Sequence, residues 1–373
     1  MTSAPRKYLD YNASAPLRAE ARAAMLRALD LPGNPSSVHA EGRHQRAIVD
    51  DARDAVAALV NARPSEVVFT SGATESNTWA LSAPWTRVAF ADVEHVSVRE
   101  PAAQIAAARG CEAIPLPVSD AGVVDFASAP SGPGTLVVLQ MANNETGVLQ
   151  DVARAGIWAT EHGARLHTDA VQAPGRVKID FASLGVHTMS LSAHKIGGPK
   201  GAGALVIGAG VDLDPLFTGG GQEQRRRAGT ENVAAIAGFG AAAQAALADL
   251  DAAARVQRLR DSLEADILRA TPGAVIVAQE AARLPNTSAI ALPGTSAETL
   301  VIKFDLKGFA VSAGAACSSG KVGASHVLSA MRLKPEIARS AIRVSLGTDT
   351  TDADVAAFVA AWRDIHGGAS VAA

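Results

Sequence analysis

A chain of 373 residues exceeds the roughly 100–200 residues of one ordinary domain, so two are expected. Its 34 Lys and Arg against 37 Asp and Glu leave a net charge of −3, which excludes a protein built mainly to coat nucleic acid or an anionic membrane. With 48% hydrophobic and 19% charged residues, it can fill a packed interior, and a disordered chain is excluded. The two cysteines, Cys111 and Cys317, are too few for a disulfide scaffold or a four-cysteine zinc site, and no metal is expected. Cys111, just before the apolar run 113–116, reads as a buried structural residue. The N-terminus, MTSAPRKYLDYNASAP, lacks the apolar stretch of a secretory signal. The longest uncharged stretch, 233–248, is rich in Ala and Gly, carries Gln244 and is too short for a bilayer span. The expected location is the cytoplasm.

In chain order, helical periodicity covers 42–60, with charges on one face and Ala, Val and Leu on the other. The run Val67-Val68-Phe69-Thr70 predicts a strand leading through Ser71-Gly72 into another helix. Further strands are predicted at 87–91, 135–140, 165–169, 188–192 and 204–207, with helices at 101–109 and 151–162. Short apolar strands alternating with helices predict a largely parallel sheet covered on both faces. A long Ala-rich helical stretch runs from Thr230 to a break at Thr271-Pro272-Gly273. Strands at 274–278, 287–292 and 342–346, interleaved with helices, then predict a smaller α+β domain, to which the first dozen residues contribute. The segment 312–325 (SAGAACSSGKVGAS) is a Gly-, Ser- and Ala-rich loop.

Ligands of such sheets collect at the carboxyl ends of strands, and four features sit there. Thr70-Ser71-Gly72-Ala73-Thr74-Glu75 offers a helix N-terminus and hydroxyls to an anion, or is an ordinary helix cap. Ser192-Ala193-His194-Lys195 places a lysine at an apolar strand end, where its amine can trap a carbonyl; alone it is more often a surface lysine. Asp169 in His167-Thr168-Asp169-Ala170-Val171-Gln172 touches a ligand or caps a helix. Cys317 is an inert small hydrophobe or, among flexible polar neighbours, a reactive thiol. No Walker A pattern is present.

A lysine trap, an aspartate for a pyridinium nitrogen and a phosphate cup are the parts needed to hold pyridoxal phosphate (PLP). Their order resembles the NifS/IscS-type cysteine desulfurases of the class V aminotransferase family. The resemblance is carried by Tyr8-Leu-Asp-Tyr-Asn-Ala, Gly33-Asn-Pro-Ser-Ser, Phe69-Thr-Ser-Gly-Ala-Thr-Glu-Ser and Glu94-His95. It continues through Asn143-Asn-Glu-Thr-Gly, Asp169-Ala-Val-Gln, Ala193-His-Lys, Gly198-Pro-Lys-Gly and Gly219-Gly-Gly-Gln-Glu. Arg227-Ala-Gly-Thr-Glu-Asn, Ala316-Cys-Ser-Ser, Ser325-His-Val-Leu and Ile342-Arg-Val-Ser-Leu-Gly complete it, so essentially the whole chain is covered. It implies a fold-type I α/β enzyme. Residues 14–250 would form the large PLP-binding domain around a mostly parallel sheet of the seven-stranded type. Residues 1–13 and 251–373 would form the small α+β domain carrying the cysteine loop.

Roles follow by resemblance, position by position. Lys195 would hold PLP covalently and shuttle the Cα proton, and Asp169 would keep the pyridine nitrogen protonated. Gln172 and Asn144 would meet the phenolic oxygen, while His95 would stack on the ring and act as acid or base. Ala73, Thr74, Ser192 and His194 would hold the phosphate, and Thr230 would reach the phosphate of the neighbouring subunit in a homodimer. Arg343, helped by Asn34, would clamp the carboxylate of L-cysteine. Cys317, as thiolate, would take the substrate sulfur as a persulfide, release alanine and deliver the sulfur to a protein acceptor. The length of its loop favours an iron–sulfur scaffold as that acceptor. Some positions depart from the family's wording: Asn12-Ala-Ser-Ala for Asn-Ala-Thr-Thr, Thr78 for Asn, and Ser312-Ala-Gly-Ala-Ala-Cys for Ser-Ser-Gly-Ser-Ala-Cys. Selenocysteine lyase, another class V enzyme and an idle PLP-fold scaffold are the alternatives. Cys317 weighs against a plain aminotransferase, and keeping Lys195, Asp169, His95 and Cys317 together weighs against an idle scaffold.

Overall fold

The computed structural model describes residues 6–314 and 325–367. Its larger sheet has seven strands in the order Val67–Thr70, Gly203–Ile207, Thr188–Ser192, Arg165–Asp169, Thr135–Val138, Arg87–Ala91 and Glu112–Leu116. Only Gly203–Ile207 runs against its neighbours; the remaining pairs are parallel. The central strands, and Val67–Thr70 at one edge, are buried along almost their whole length, as continuous apolar runs covered on two faces must be. Glu112–Leu116 is not anticipated from the sequence. It lies at the sheet edge and pairs on one side only, with Pro115 opposite Phe90. Cys111, just before it, is half-buried rather than buried, as are Ala113 and Ile114 of this exposed edge strand.

The helix read from Pro101 begins already at Val96. His95 caps it by accepting from Ser97 N, so Pro101 sits inside the helix instead of opening it. Helix Val233–Ala248 lies against Ala19–Leu29 and Ala40–Leu59. The approach is close: a Cβ on Gly240 would sit 2.6 Å from Ala52 Cα, and one on Gly238 2.6 Å from Met25 Cγ. After a 3₁₀ turn at Asp249–Ala252 the chain continues as Ala253–Ala270. The stretch Val233–Ala270 is long and apolar enough to cross a membrane, but half of its apolar window is buried inside the fold.

A second, antiparallel sheet has the order Ser312–Ala313, Ile342–Ser345, Thr287–Ala291 and Val275–Ile276. The scarce aromatics gather behind it: Phe304 stacks on Phe358 at 4.6 Å between centroids, and Phe309 meets Phe358 edge-on at 5.5 Å. The N-terminal strand Lys7–Tyr8 pairs in parallel with Phe309–Ala310. Asp10 then bridges to Ser345, which carries residues 10–15 towards the carboxyl edge of the larger sheet.

One buried ion pair ties the loop before Val233–Ala248 to that sheet. Arg53 Nη1 and Nη2 reach both Glu223 carboxylate oxygens at 2.8 Å, and Phe69 N donates to Glu223 Oε2 at 2.9 Å. Glu223, Gln224 and Arg225 all have left-handed backbones, with φ of 47°, 57° and 66°, a conformation costing about 1–3 kcal/mol per residue. The ion pair holds that turn in place. Arg53→Met is therefore expected to destabilise the protein by about 3–5 kcal/mol, because it strands the Glu223 charge. Urea denaturation checks this, and adding Glu223→Gln to Arg53→Met should restore part of the loss.

Candidate active site

Because Val67–Thr70, Thr188–Ser192, Arg165–Asp169 and Arg87–Ala91 all run the same way, their carboxyl ends share one edge. The residues following those ends open onto one cavity of about 590 Å³. Among its walls are Ala73, Thr74, Ser192, His194 and Lys195 on one side, and His95, Asn144, Asp169, Gln172 and Arg343 on the other. Eleven of the thirteen residues singled out from sequence are thereby accounted for by this cavity or by its surroundings as follows: ten line it, and Thr230 opens onto the adjoining one with Ser71 and Gly201. Asn34 lies exposed on a surface turn, where its Oδ1 accepts from Ser36 N at 2.8 Å. Cys317 lies outside the described residues, but Ser312 and Gly314, which lead into its segment, line the cavity.

The cup forms where strand Val67–Thr70 turns at Gly72 into helix Ala73–Leu81. Glu75 Oε2 takes the Ser71 N–H at 2.8 Å and is itself held by Arg227. Burial alone would raise the Glu75 carboxyl; these donors outweigh it and hold it below the ordinary carboxylate range. The first-turn N–H groups of Ala73 and Thr74 have no carbonyl four residues earlier within the helix, leaving them for an anion. Lys200 and His194 flank them. Burial, with the charges of Lys195 and Lys200, pushes His194 down to about 4, so at neutral pH it is an uncharged donor or acceptor.

Lys195 Nζ donates to the carbonyls of Asn12 at 2.6 Å and Ala13 at 3.1 Å. Gln172 Nε2 also donates to Asn12 O, at 3.0 Å, and Gln172 Oε1 accepts from Arg176 Nη1 at 2.5 Å. Burial, aided by Arg343, lowers Arg176 to about 9. Asp169 accepts on both oxygens, from Val171 N at 3.0 Å and Asn77 Nδ2 at 2.8 Å. Asn77 also contacts Ser97 Oγ and His167 Nε2, each at 3.0 Å, and Ser97 Oγ lies 2.9 Å from His95 Nδ1. Desolvation holds His95 below its ordinary range and His167 at about 4.

Arg343 is not free. Its Nη2 pairs with Asp10 at 2.7 Å and its Nη1 donates to Asn144 O at 3.0 Å, while Nε is buried without a partner among the described residues. Ser312 Oγ also donates to Asp10, at 2.8 Å. Where the described chain resumes, Ser325 Oγ donates to Glu145 at 2.6 Å and His326 Nε2 to Glu94 O at 2.8 Å. Burial raises Glu145 to about 7. Burial, then the Asp169 charge, raises Glu94 well above the carboxylate range. Asn12, Asn77, Ser97, Glu145 and Arg176 were not singled out from sequence. Asn12, Asn77 and Glu145 do stand inside or beside the quoted motifs, which is the one signal that pointed at them.

The class V aminotransferase family model matches residues 7–358. This chain belongs to that family. Among relatives of the class V chain, a cysteine desulfurase from Cereibacter sphaeroides is 42% identical over 361 residues, 94% of this chain and 93% of that protein. Cysteine desulfurase IscS from Dictyoglomus turgidum is 38% identical over 360 residues, 93% of this chain and 91% of its own. The solved NifS-like protein from Rickettsia africae superposes with a TM-score of 0.88 at 33% identity, covering 97% of this chain and 99% of its own. The class V fold is thus the α/β architecture expected of a fold-type I enzyme.

The Glu145 environment has a measurable consequence. Its carboxyl is raised from 4.5 to about 7 on folding, so between those values the native state binds more protons than the unfolded chain. Stability from this group is complete below pH 4.5 and falls as pH rises through 7. Glu145→Gln removes that dependence. Its stability relative to wild type is expected to improve by up to roughly 3 kcal/mol between pH 4 and pH 8, read from urea titrations across that range.

Proposed function

We propose that the protein is a PLP-dependent cysteine desulfurase that converts L-cysteine to L-alanine and passes the sulfur to Cys317. The observation that carries this reading is the single cavity uniting an anion cup, a lysine amine, a doubly hydrogen-bonded buried aspartate and the approach to the Cys317 segment. The donor set fits PLP end to end. Ala73, Thr74, Ser192 and His194 would hold the phosphate, with Thr230 of the partner subunit completing the cup in a homodimer. Asp169 would hold the ring nitrogen, Gln172 and Asn144 the phenolic edge, and His95 the ring face. When bound, PLP supplies a carbonyl for amines and an electron-withdrawing ring that acidifies the amino acid's Cα–H and weakens its Cβ–S bond.

The chain's own groups do the rest. Lys195 would take and return the Cα proton through Nζ. Arg343 binds the substrate carboxylate, with its orphaned Nε as the donor in waiting. That contact forms beside Asp10, so the carboxylate joins or displaces an existing ion pair. The Cys317 sulfur attacks the substrate sulfur; an S–S bond forms, the C–S bond breaks, and cysteine plus thiol becomes alanine plus persulfide. The persulfide then serves a protein acceptor, in our reading an iron–sulfur scaffold in the cytoplasm. IscS names among the relatives support that choice of acceptor.

The purified protein should be yellow, with an absorbance band that borohydride bleaches, and should release alanine and sulfide from L-cysteine. Cys317→Ser should keep the band and lose sulfide release; a colourless protein, or a fully active Cys317→Ser variant, overturns the reading. Running L-selenocysteine alongside separates the lyase alternative. Arg343→Lys keeps the charge opposite Asp10 but loses the planar fork. Losing one charge-assisted hydrogen bond of about 1.5–3 kcal/mol should raise KM for L-cysteine roughly 10–100-fold, with a smaller change in kcat.

A further inference from the structure

Around Asp169 the hydrogen bonds admit one consistent placement of protons. A carboxylate oxygen only accepts, so the atom of Asn77 facing Asp169 Oδ2 at 2.8 Å must be its amide nitrogen. That fixes the orientation of the whole amide. Its other N–H points to Ser97 Oγ at 3.0 Å, and its Oδ1 accepts from His167 Nε2 at 3.0 Å. His167 Nδ1 is then the acceptor for Thr188 Oγ1 at 2.8 Å. Ser97 Oγ, which can accept from Asn77 and still donate its own proton, lies 2.9 Å from His95 Nδ1. Ser97 N–H also points at that nitrogen, at 3.2 Å. A ring nitrogen that meets two donors carries no proton itself.

We propose that Asp169, acting through Asn77 and Ser97, fixes neutral His95 as the Nε2–H tautomer, so that the cavity meets a hydrogen-bond donor there and not a base. This deepens the desulfurase reading and rests on it. The lone pair of His95 is committed to Ser97 in the interior, so the Cα proton falls to Lys195 alone. His95 is left to donate to an acceptor atom of the bound substrate. Asn77, fully buried, lies behind the cavity wall, and Ser97, 7% exposed, reaches that wall beside His95; both are argued to act through His95 and are positioning residues. Around the imidazole, burial is the largest influence and disfavours a charged ring; Asp169 and Glu100 favour one, while Lys195 and His326 oppose it.

The test uses the cofactor-free protein with ¹⁵N-labelled histidine, the His95 signals being assigned by their loss in His95→Gln. At neutral pH the wild-type nitrogens should show the Nε2–H pattern. Ser97→Ala removes a donor to the neutral ring, so the His95 pKa should rise by about one pH unit. Asn77→Ala frees the Ser97 hydroxyl to rotate, and a mixture of tautomers should appear; thermal melts check that both variants fold. An Nδ1–H pattern in wild type overturns the inference and needs no variant. So does an unchanged tautomer and pKa in both variants. A protein that stays colourless and inactive after PLP is added back, yet shows the Nε2–H pattern, would instead overturn the desulfurase reading alone.

Discussion

Asp169 is a carboxylate taken almost wholly out of water, and the site is arranged around that cost. Moving such a group into the interior costs several kcal/mol unless donors replace the lost hydration. Val171 N and Asn77 Nδ2 replace it, one on each oxygen. The same negative charge acts on its neighbours. It adds to the burial that raises Glu94, whose Oε1 accepts from Gln140 N at 2.5 Å. It orients an amide that in turn orients a hydroxyl and an imidazole. A strand end thus sets the chemistry of a helix cap on the neighbouring parallel pair.

The cavity also depends on the N-terminal segment, which crosses from one sheet to the other. Asn12 alone receives Lys195 and Gln172 at its carbonyl and donates through Nδ2 to Thr287 Oγ1 at 2.9 Å and Asn144 O at 3.2 Å. Two residues earlier, Asp10 holds Arg343 and Ser312. The Lys195 amine on the larger sheet and the arginine on the smaller one are therefore registered through a span of three residues. A shift of one sheet against the other would be felt at both.

Much of this was legible in the sequence, for a physical reason. Short β-branched and apolar runs bounded by turns gave Arg87–Ala91, Arg165–Asp169 and Thr188–Ser192 with their observed bounds, since fully buried strands have no polar face to blur the pattern. Glu112–Leu116 was hidden because an edge strand tolerates charge, exposure and Pro115. The start of Val96–Arg109 was hidden because proline usually opens a helix, and here a histidine cap opens it earlier. Of the site, the residues next to glycine turns and strand ends could be found by position. Ser97 could not, and Asn77 only as the residue that follows a quoted motif, because their roles are set by Asp169, which lies far along the chain. Asn34 read as a neighbour of Arg343, yet within this chain its side chain closes its own surface turn.

The close helix contact at Gly238 and Gly240 gives the low aromatic content a meaning for how the sequence can drift. An interior built from alanine, valine and glycine has few large side chains to lose, so trimming leaves small voids. Enlargement has nowhere to go: a single methyl at Gly240 meets the backbone of Ala52, and overpacking of this kind typically costs 1–3 kcal/mol. Natural variation in this layer should therefore be directional. Exchanges among the smallest residues pass, and each step up in size demands a matching reduction on the facing helix.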